Sequence, residues 1–303
     1  MMTLMPCFYP LKANISYQGT KRSVVVLKQS AKSWEIELPC GKCHGCRLEK
    51  SREWAMRVMH EASLYNDNCF ITLTYDDDNV PEDGNLDYTH FQNFMKYLRR
   101  DFSDKPIRFY MAGEYGSDFG RPHFHACLFN FTFDDLEFLR LSPTGCKLFR
   151  SPTLERLWPK GFSSVGSLTF ESAAYVARYI MSKLDGPQSR ATGLVDYSTG
   201  EVYPRVSEFN RMSLKPGIGA NWFHRYQGDV FPHDRVVVDG QKLRVPRYYD
   251  KLYEVKNPAG YRDVKTQRII KAEELVRDTP DRLKVKEAVS KAAIINLKRG
   301  FKK

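Results

Sequence analysis

The chain has 303 residues, 42% of them hydrophobic, with a formal net charge of +11 and a pI of about 9.2. That length suits one large domain or a core with smaller appendages, and no apolar run approaches the roughly 18 residues a membrane span needs. The first residues lack the basic start and apolar stretch of a signal peptide, which points to a cytosolic protein, and the positive balance favours a polyanionic partner.

Residues 1–46 form a small Cys-rich segment; with no secretory signal, its clustered cysteines point to a metal site rather than a disulfide framework. A helix follows, with Leu48, Ala55, Val58, Met59 and Ala62 near one face. Cys69–Tyr75 is β-branched and aromatic and reads as a strand, ended by a turn at Asp76, Asp77, Asp78 and Asn79. Residues 88–100 read as an amphipathic helix on Phe91, Phe94, Met95 and Leu98, capped by Asp87 or Thr89.

A second strand is expected over Ile107–Tyr115 and a third over His123–Asn130, joined by a turn at Gly116–Pro122. A further helix is expected from Glu171 to Leu184, stopped by Gly186-Pro187. Beyond it, hairpins are expected around Ser198-Thr199-Gly200 and around Asp239-Gly240, the latter between Val236–Val238 and Leu243–Val245. From Arg282 to Lys303 the chain reads as a basic helical tail, with eight Lys or Arg and one acidic residue, Glu287. The expected division is a Cys-rich segment 1–46, a core 47–186 and a C-terminal extension 187–303, the whole being α+β with an antiparallel central sheet and flanking helices.

His123-Phe124-His125 carries the sharpest chemical signal. Two residues apart on a strand, the imidazoles project to one side and can share a metal, while Phe124 anchors the other side in the core. Glu114 lies on the polar face of the preceding strand by alternation, and the turn between brings its carboxylate toward the imidazoles. One carboxylate and two imidazoles suit Mn²⁺ or Mg²⁺ better than a closed zinc cage, and leave positions for phosphate oxygens and water.

In the helix near 171–184, Ala173, Val176, Ala177, Ile180 and Leu184 form an apolar stripe. Tyr175 and Tyr179, four residues apart, share the face opposite that stripe, with Lys183 one turn further. Packing does not account for two tyrosines turned from the core beside a metal cluster, whereas nucleophilic attack on a phosphodiester does.

The ordered set Phe70-Ile71-Thr72-Leu73-Thr74-Tyr75, Gly113-Glu114-Tyr115-Gly116, Arg121-Pro122-His123-Phe124-His125 and Tyr175-x-x-x-Tyr179 resembles the HUH rolling-circle replication initiators. Within them it is most similar to the replication proteins of small single-stranded DNA microviruses, the gokushovirus group. Pro39-Cys40-Gly41-Lys42-Cys43-His44-Gly45-Cys46-Arg47, Pro216-Gly217-Ile218-Gly219 and Val245-Pro246-Arg247-Tyr248-Tyr249 add to the likeness, which spans about residues 7–253.

The resemblance implies a five-stranded antiparallel sheet with the two histidines on a central strand. It implies metal binding by His123, His125 and, less closely matched, Glu114. It implies Tyr175 and Tyr179 as two nucleophiles that nick single-stranded origin DNA, forming a 5′-phosphotyrosine and a free 3′-hydroxyl. Other HUH families use one tyrosine with a lysine four residues on, so Tyr179 with Lys183 stays open as a single-nucleophile arrangement. The implied setting is the cytoplasm of an infected bacterial host, with a host polymerase and, since no Gly-x-x-x-x-Gly-Lys-Ser/Thr loop is present, a host helicase as partners.

Cys40-x-x-Cys43-x-x-Cys46 supplies three thiolates, and Cys7 is a candidate fourth, for a structural zinc; iron–sulfur binding or no metal are the alternatives. His44 is a poor substitute ligand inside the tight knuckle. Cys69, Cys127 and Cys146 are expected to be buried small hydrophobes. For DNA contact the candidates are Arg47, Arg52, Arg121, Lys183 and Lys215, the tail after Arg282 as an electrostatic element, and Trp222 as a stacking ring. Two other function classes compete. One is a non-catalytic zinc-containing DNA-binding or packaging protein; the other is a phosphodiesterase that activates water in place of tyrosine.

Overall fold

The chain alternates short strands with helices, and a computed structural model describes residues 7–18, 21–25, 33–116, 120–142, 145–183, 194–195, 202–203, 205–238, 240–274 and 278–300. It forms two compact units, one of Ser51–Lys265 and one of Met1–Lys50 with Thr266–Lys303. The elements needed below are β1 (Leu11–Gln18), β2 (Lys21–Val25), β3 (Ser33–Leu38), α1 (His44–Ala62), β4 (Asn68–Tyr75), α2 (Tyr88–Asp101), β5 (Arg108–Tyr115) and β6 (Pro122–Phe129). They continue as β7 (Glu137–Leu141), β8 (Lys147–Arg150), α3 (Pro152–Leu157), β9 (Gly161–Ser167), α4 (Phe170–Lys183), β10 (Leu194–Val195), β11 (Val202–Tyr203), β12 (Phe209–Met212), β13 (Val236–Val238) and β14 (Gln241–Leu243).

In the Ser51–Lys265 unit, seven strands form an antiparallel sheet in the order β12-β5-β6-β4-β9-β8-β7. The expected count of five is corrected upward: β7, β8 and β12 are four or five residues long and carry little periodic signal. One face packs Ile71, Leu73, Phe109, Met111, Phe124, Ala126 and Leu128 against Phe91, Phe94, Met95 and Leu98 of α2. These four helical positions recur at helical spacing, and Asp87 caps the first turn by accepting from the Thr89 backbone N–H at 2.8 Å. Ser151 caps α3 in the same way, with Pro152 at its first position, where a missing N–H costs nothing.

The other face packs Tyr110, Ala112, Cys127 and Phe129 against Ala55, Val58 and Ala62 of α1 and Ala173 and Val176 of α4. This corrects the expectation of a polar face on the histidine side. Away from the strand ends that face is a second apolar layer, so β5 and β6 are buried almost throughout. Cys69 and Cys127 are buried as expected, whereas Cys146, beyond the end of β7, is exposed. β10 pairs with β11 on either side of the turn expected at 198–200; that turn and the Gly186-Pro187 stop lie outside the described residues. The β13–β14 hairpin forms with Val238 opposite Gln241, so its second strand starts two residues earlier than the pattern indicated. Its turn carries Gly240 at φ +74°, a left-handed conformation that glycine adopts without a Cβ clash.

A third cluster joins Met56, Phe223, Val230, Phe231, Val236, Val245 and Tyr249. His60 sits at its margin, stacked flat on Trp222 at 3.5 Å and hydrogen-bonded through Nδ1 to the Tyr249 hydroxyl at 2.9 Å. Burial pushes its imidazole down to about 4. The unfolded chain therefore binds a proton near pH 6.5 that the folded protein refuses until about pH 4. This contribution is fully present above pH 6.5 and is lost as the pH falls toward 4, by about 2–3 kcal/mol at pH 4.5. Urea unfolding of the protein and of His60→Phe at pH 7 and pH 4.5 measures it; the variant should lose less stability over that interval, and equal losses would refute the assignment.

In the other unit, β2-β1-β3 form a small antiparallel sheet that the sequence pattern did not indicate. Tyr9 donates its hydroxyl proton to Glu287 at 2.5 Å, and Lys291 pairs with Glu287 at 2.9 Å, which ties the C-terminal helix Pro280–Gly300 into this unit. Arg282 and Lys286 pair with Asp278, and Lys284 with Asp281, so several charges counted toward a DNA-binding tail have acidic partners within the fold.

Candidate metal centre and active site

The site begins with strand alternation. On β5, Tyr110, Ala112 and Glu114 share the face that on β6 carries His123, His125 and Cys127, because register sets Glu114 opposite His123 and Ala112 opposite His125. The expected turn at 116–122 closes this pair, with the Gly116 N–H donating to the Arg121 carbonyl at 2.9 Å. The result is convergence: Glu114 Oε1 lies 3.1 Å from His123 Nε2 and 2.6 Å from His125 Nε2. One ligand atom from each of the three residues falls within 4.8 Å of the others.

Glu114 is only 1% exposed. Burial alone would push its carboxyl up, but hydrogen bonds from both imidazoles hold it down at about 2. Burial pushes the His125 imidazole down, against the pull of Glu114. The second carboxylate oxygen, Glu114 Oε2, is buried with no hydrogen-bond partner among the described residues. Each imidazole is oriented from behind: His123 Nδ1 lies 3.0 Å from the Arg121 carbonyl and His125 Nδ1 lies 2.9 Å from Thr72 Oγ1. A proton on His123 Nδ1 donated to that carbonyl leaves Nε2 as a lone pair aimed at Glu114. Lone pairs crowded on one carboxylate oxygen repel unless a proton or cation lies among them. The donor set, its buried orphan oxygen and its outer hydrogen bonds therefore fit a hard divalent cation.

Thr72 was not singled out from the sequence, and it faces His125 only because β4 and β6 pair in that register. Arg205 and Glu208 were missed for the same reason. The Arg205 guanidinium lies 3.6 Å over the Tyr115 ring and donates to the Gly120 carbonyl at 2.8 Å, while Glu208 accepts from the Tyr115 N–H at 3.0 Å. These two residues brace the turn between the Glu114 and His123 strands from some 90 positions away in the chain; no local pattern announces them.

Helix α4 packs on the same sheet face as the cluster, through Ala173 and Val176 against Tyr110, Ala112 and Cys127. Ser51 of α1 holds it further by donating to the Ala174 carbonyl at 3.2 Å. Tyr175, Tyr179 and Lys183 belong to this helix; their side chains lie outside the described residues. Arg121 is committed locally, donating to the Tyr75 carbonyl at 2.9 Å and pairing with Asp77. Lys215 is exposed in the turn after β12. Trp222 is half-buried, with one ring face covered by His60.

The second cluster is Cys7, Cys40, Cys43 and Cys46, whose sulfurs all lie within 4.8 Å of one another. Cys40 and Cys46 sulfurs are 4.0 Å apart, as are those of Cys7 and Cys43. Four sulfurs arranged tetrahedrally about 2.3 Å from one ion would be roughly 3.8 Å apart. Backbone N–H groups of Phe8, Cys40 and Cys43 donate to sulfurs of Cys43, Cys7 and Cys40 at 3.3–3.4 Å. Burial opposes ionisation at Cys43, yet N–H donors from Cys46 and Phe8 bring its thiol down to about 7; burial pushes Cys46 and Cys7 up. α1 starts at His44, so Cys46 is delivered from its first turn rather than from the segment before it.

No described helix is long and apolar enough to cross a membrane. The family model of the ORF2-type replication-associated proteins matches residues 68–184, the stretch that holds β4, the metal cluster and α4. Replication-associated protein VP4 of Bdellovibrio phage phiMH2K is 31% identical over 281 residues, covering 89% of this chain and 84% of the relative. Replication-associated protein ORF2 of Spiroplasma virus 4 is 34% identical over 229 residues, 72% of this chain and 68% of the relative. Replication-associated protein ORF4 of Chlamydia phage 1 is 31% identical over 234 residues, 73% of this chain and 54% of the relative. No solved structure matches the chain. With the sheet, the cluster and these relatives together, the chain belongs to the family of microvirus replication-associated proteins.

Proposed function

We propose that this protein initiates rolling-circle replication by nicking single-stranded origin DNA with a tyrosine of α4, and later rejoins the strands. The observation that carries the reading is the packing of α4 on the sheet face that bears Glu114, His123 and His125. A helix on the opposite layer would keep any nucleophile it bears away from the cluster.

Mn²⁺ or Mg²⁺ held by Glu114, His123 and His125 would polarise a non-bridging phosphate oxygen and steady the charge that develops on it. The hydroxyl oxygen of Tyr175 or Tyr179 attacks phosphorus and gives up its proton. The bond from phosphorus to the 3′ oxygen breaks, and that oxygen leaves as a 3′-hydroxyl able to prime a host polymerase. The 5′-phosphate stays on the tyrosine, and this ester retains the energy for rejoining. Two tyrosines one turn apart provide one nucleophile for each transfer; Lys183 follows Tyr179 at the spacing of a charge-stabilising partner. Unwinding would fall to a host helicase. The test is incubation with single-stranded viral DNA carrying the origin and Mn²⁺, followed by a denaturing gel. A covalent protein–DNA adduct supports the reading; cleavage with no adduct would replace tyrosine by water, and no cleavage would leave a DNA-binding role.

The cysteine cluster is proposed to hold one structural Zn²⁺ that consolidates its unit. Purified protein should contain about one zinc per chain by elemental analysis, and Cys40→Ser should lose it and loosen the segment by hydrogen exchange. Folded protein devoid of zinc would argue against this site.

A further inference from the structure

The sheet face that bears the metal cluster is covered unevenly. Over β5 and β6 it is roofed by Ala55 and Val58 of α1 and Ala173 and Val176 of α4. Two strands away on β9, Phe162 is 69% exposed. Strand register ties this ring to the cluster: Glu114 is opposite His123, His123 is opposite Thr74, and Thr74 is opposite Phe162. Partners in a ladder project to the same face, so Phe162 lies in the same row as His123 and on the same side of the sheet. Burial agrees with this phase, since Val165 on the alternate face is 2% exposed and joins the core under α2. At about 4.8 Å per strand, Phe162 stands roughly 10 Å from His123.

The surface between them is lined by half-buried Thr72, Thr74 and Ser164. Among the described residues no ring stacks on Phe162, so it has no packing partner of its own kind. An uncharged ring presented to solvent beside a phosphate-binding centre suits an unpaired base, because every base has a π face and a duplex hides its own. Continuity with the cluster in a single row, in a chain of net charge +11, selects nucleic acid over an apolar protein segment.

We propose that Phe162 is a stacking platform for a base of single-stranded DNA, close to the phosphate held at the metal centre. The inference rests on the nuclease reading and adds where the flanking strand is gripped. Contact is by ring face, so it tolerates different bases and responds weakly to salt, unlike contacts made by lysine and arginine.

The test uses the full chain with EDTA, a fluorescein-labelled oligothymidylate for affinity and an oligonucleotide with a single 2-aminopurine for stacking. Phe162→Ala should weaken binding about tenfold and relieve 2-aminopurine quenching, and Phe162→Trp should retain both. Phe138→Ala removes a 60%-exposed ring from the sheet's edge strand and should change neither. Unaltered affinity and quenching in Phe162→Ala, with the parent binding well, would overturn the platform alone. A parent chain that does not bind single-stranded DNA would overturn the nuclease reading and the platform together.

Discussion

His125→Ala and His123→Ala will each lose Mn²⁺-dependent strand cleavage. Removing a ligand from a cation that stabilises developing phosphate charge forfeits several kcal/mol in the transition state, on the order of a thousandfold or more in rate. The two variants differ in their cost to the fold. His125 is buried, stacked on Phe70 at 5.5 Å and hydrogen-bonded to Thr72, so its loss should destabilise the protein by about 1–3 kcal/mol. His123 has a more exposed side chain, at 16% against 10%, and should cost less. Cleavage gels, urea unfolding and Mn²⁺ titration calorimetry on both variants separate chemistry from folding. Parent-like cleavage by either well-folded variant would remove the cluster from the mechanism.

The tyrosine series has an equally large expected effect. Tyr175→Phe and Tyr179→Phe keep the ring and remove only the attacking oxygen. If both tyrosines serve, each single variant still forms the covalent adduct with single-stranded origin DNA, and only the double variant loses it. If Tyr179 acts with Lys183, then Tyr179→Phe alone eliminates the adduct and Tyr175→Phe does not. Mass spectrometry of the adduct identifies the residue that bears the 5′-phosphate. An adduct formed by the double variant would rule out both positions. Attack needs the hydroxyl about 3–3.5 Å from phosphorus once DNA is bound, so small displacements of α4 should also slow the reaction. Ser51→Ala, which removes the bond to the Ala174 carbonyl, probes that dependence.

Local pattern made much of this protein legible. Period-two alternation in 107–115 and 123–129 is enough to separate Glu114, His123 and His125 from Phe109, Met111, Phe124 and Ala126, and the structure keeps that separation. Helical spacing likewise marks α2 and the Ala173–Val176 stripe of α4 as core-facing. Thiol spacing in Cys40-x-x-Cys43-x-x-Cys46, with Cys7 added, anticipates a cluster that the fold assembles. Each of these signals is carried by residues close in sequence, where backbone periodicity alone decides which side chains share a side.

The rest needed strand order and packing. That β4 pairs with β6, setting Thr72 behind His125, depends on a partner 53 residues away. Arg205 and Glu208 reach the turn of the metal hairpin only because β12 adds to the sheet's edge beside β5. Short strands such as β7, β8 and β12 have too few residues to show a period and are held by their neighbours. Alternation could tell that the histidines face away from Phe124, yet not that helices α1 and α4 would cover that side. Which layer a helix joins is settled by burial of its stripe against a complementary sheet face, a long-range choice that no local spacing encodes.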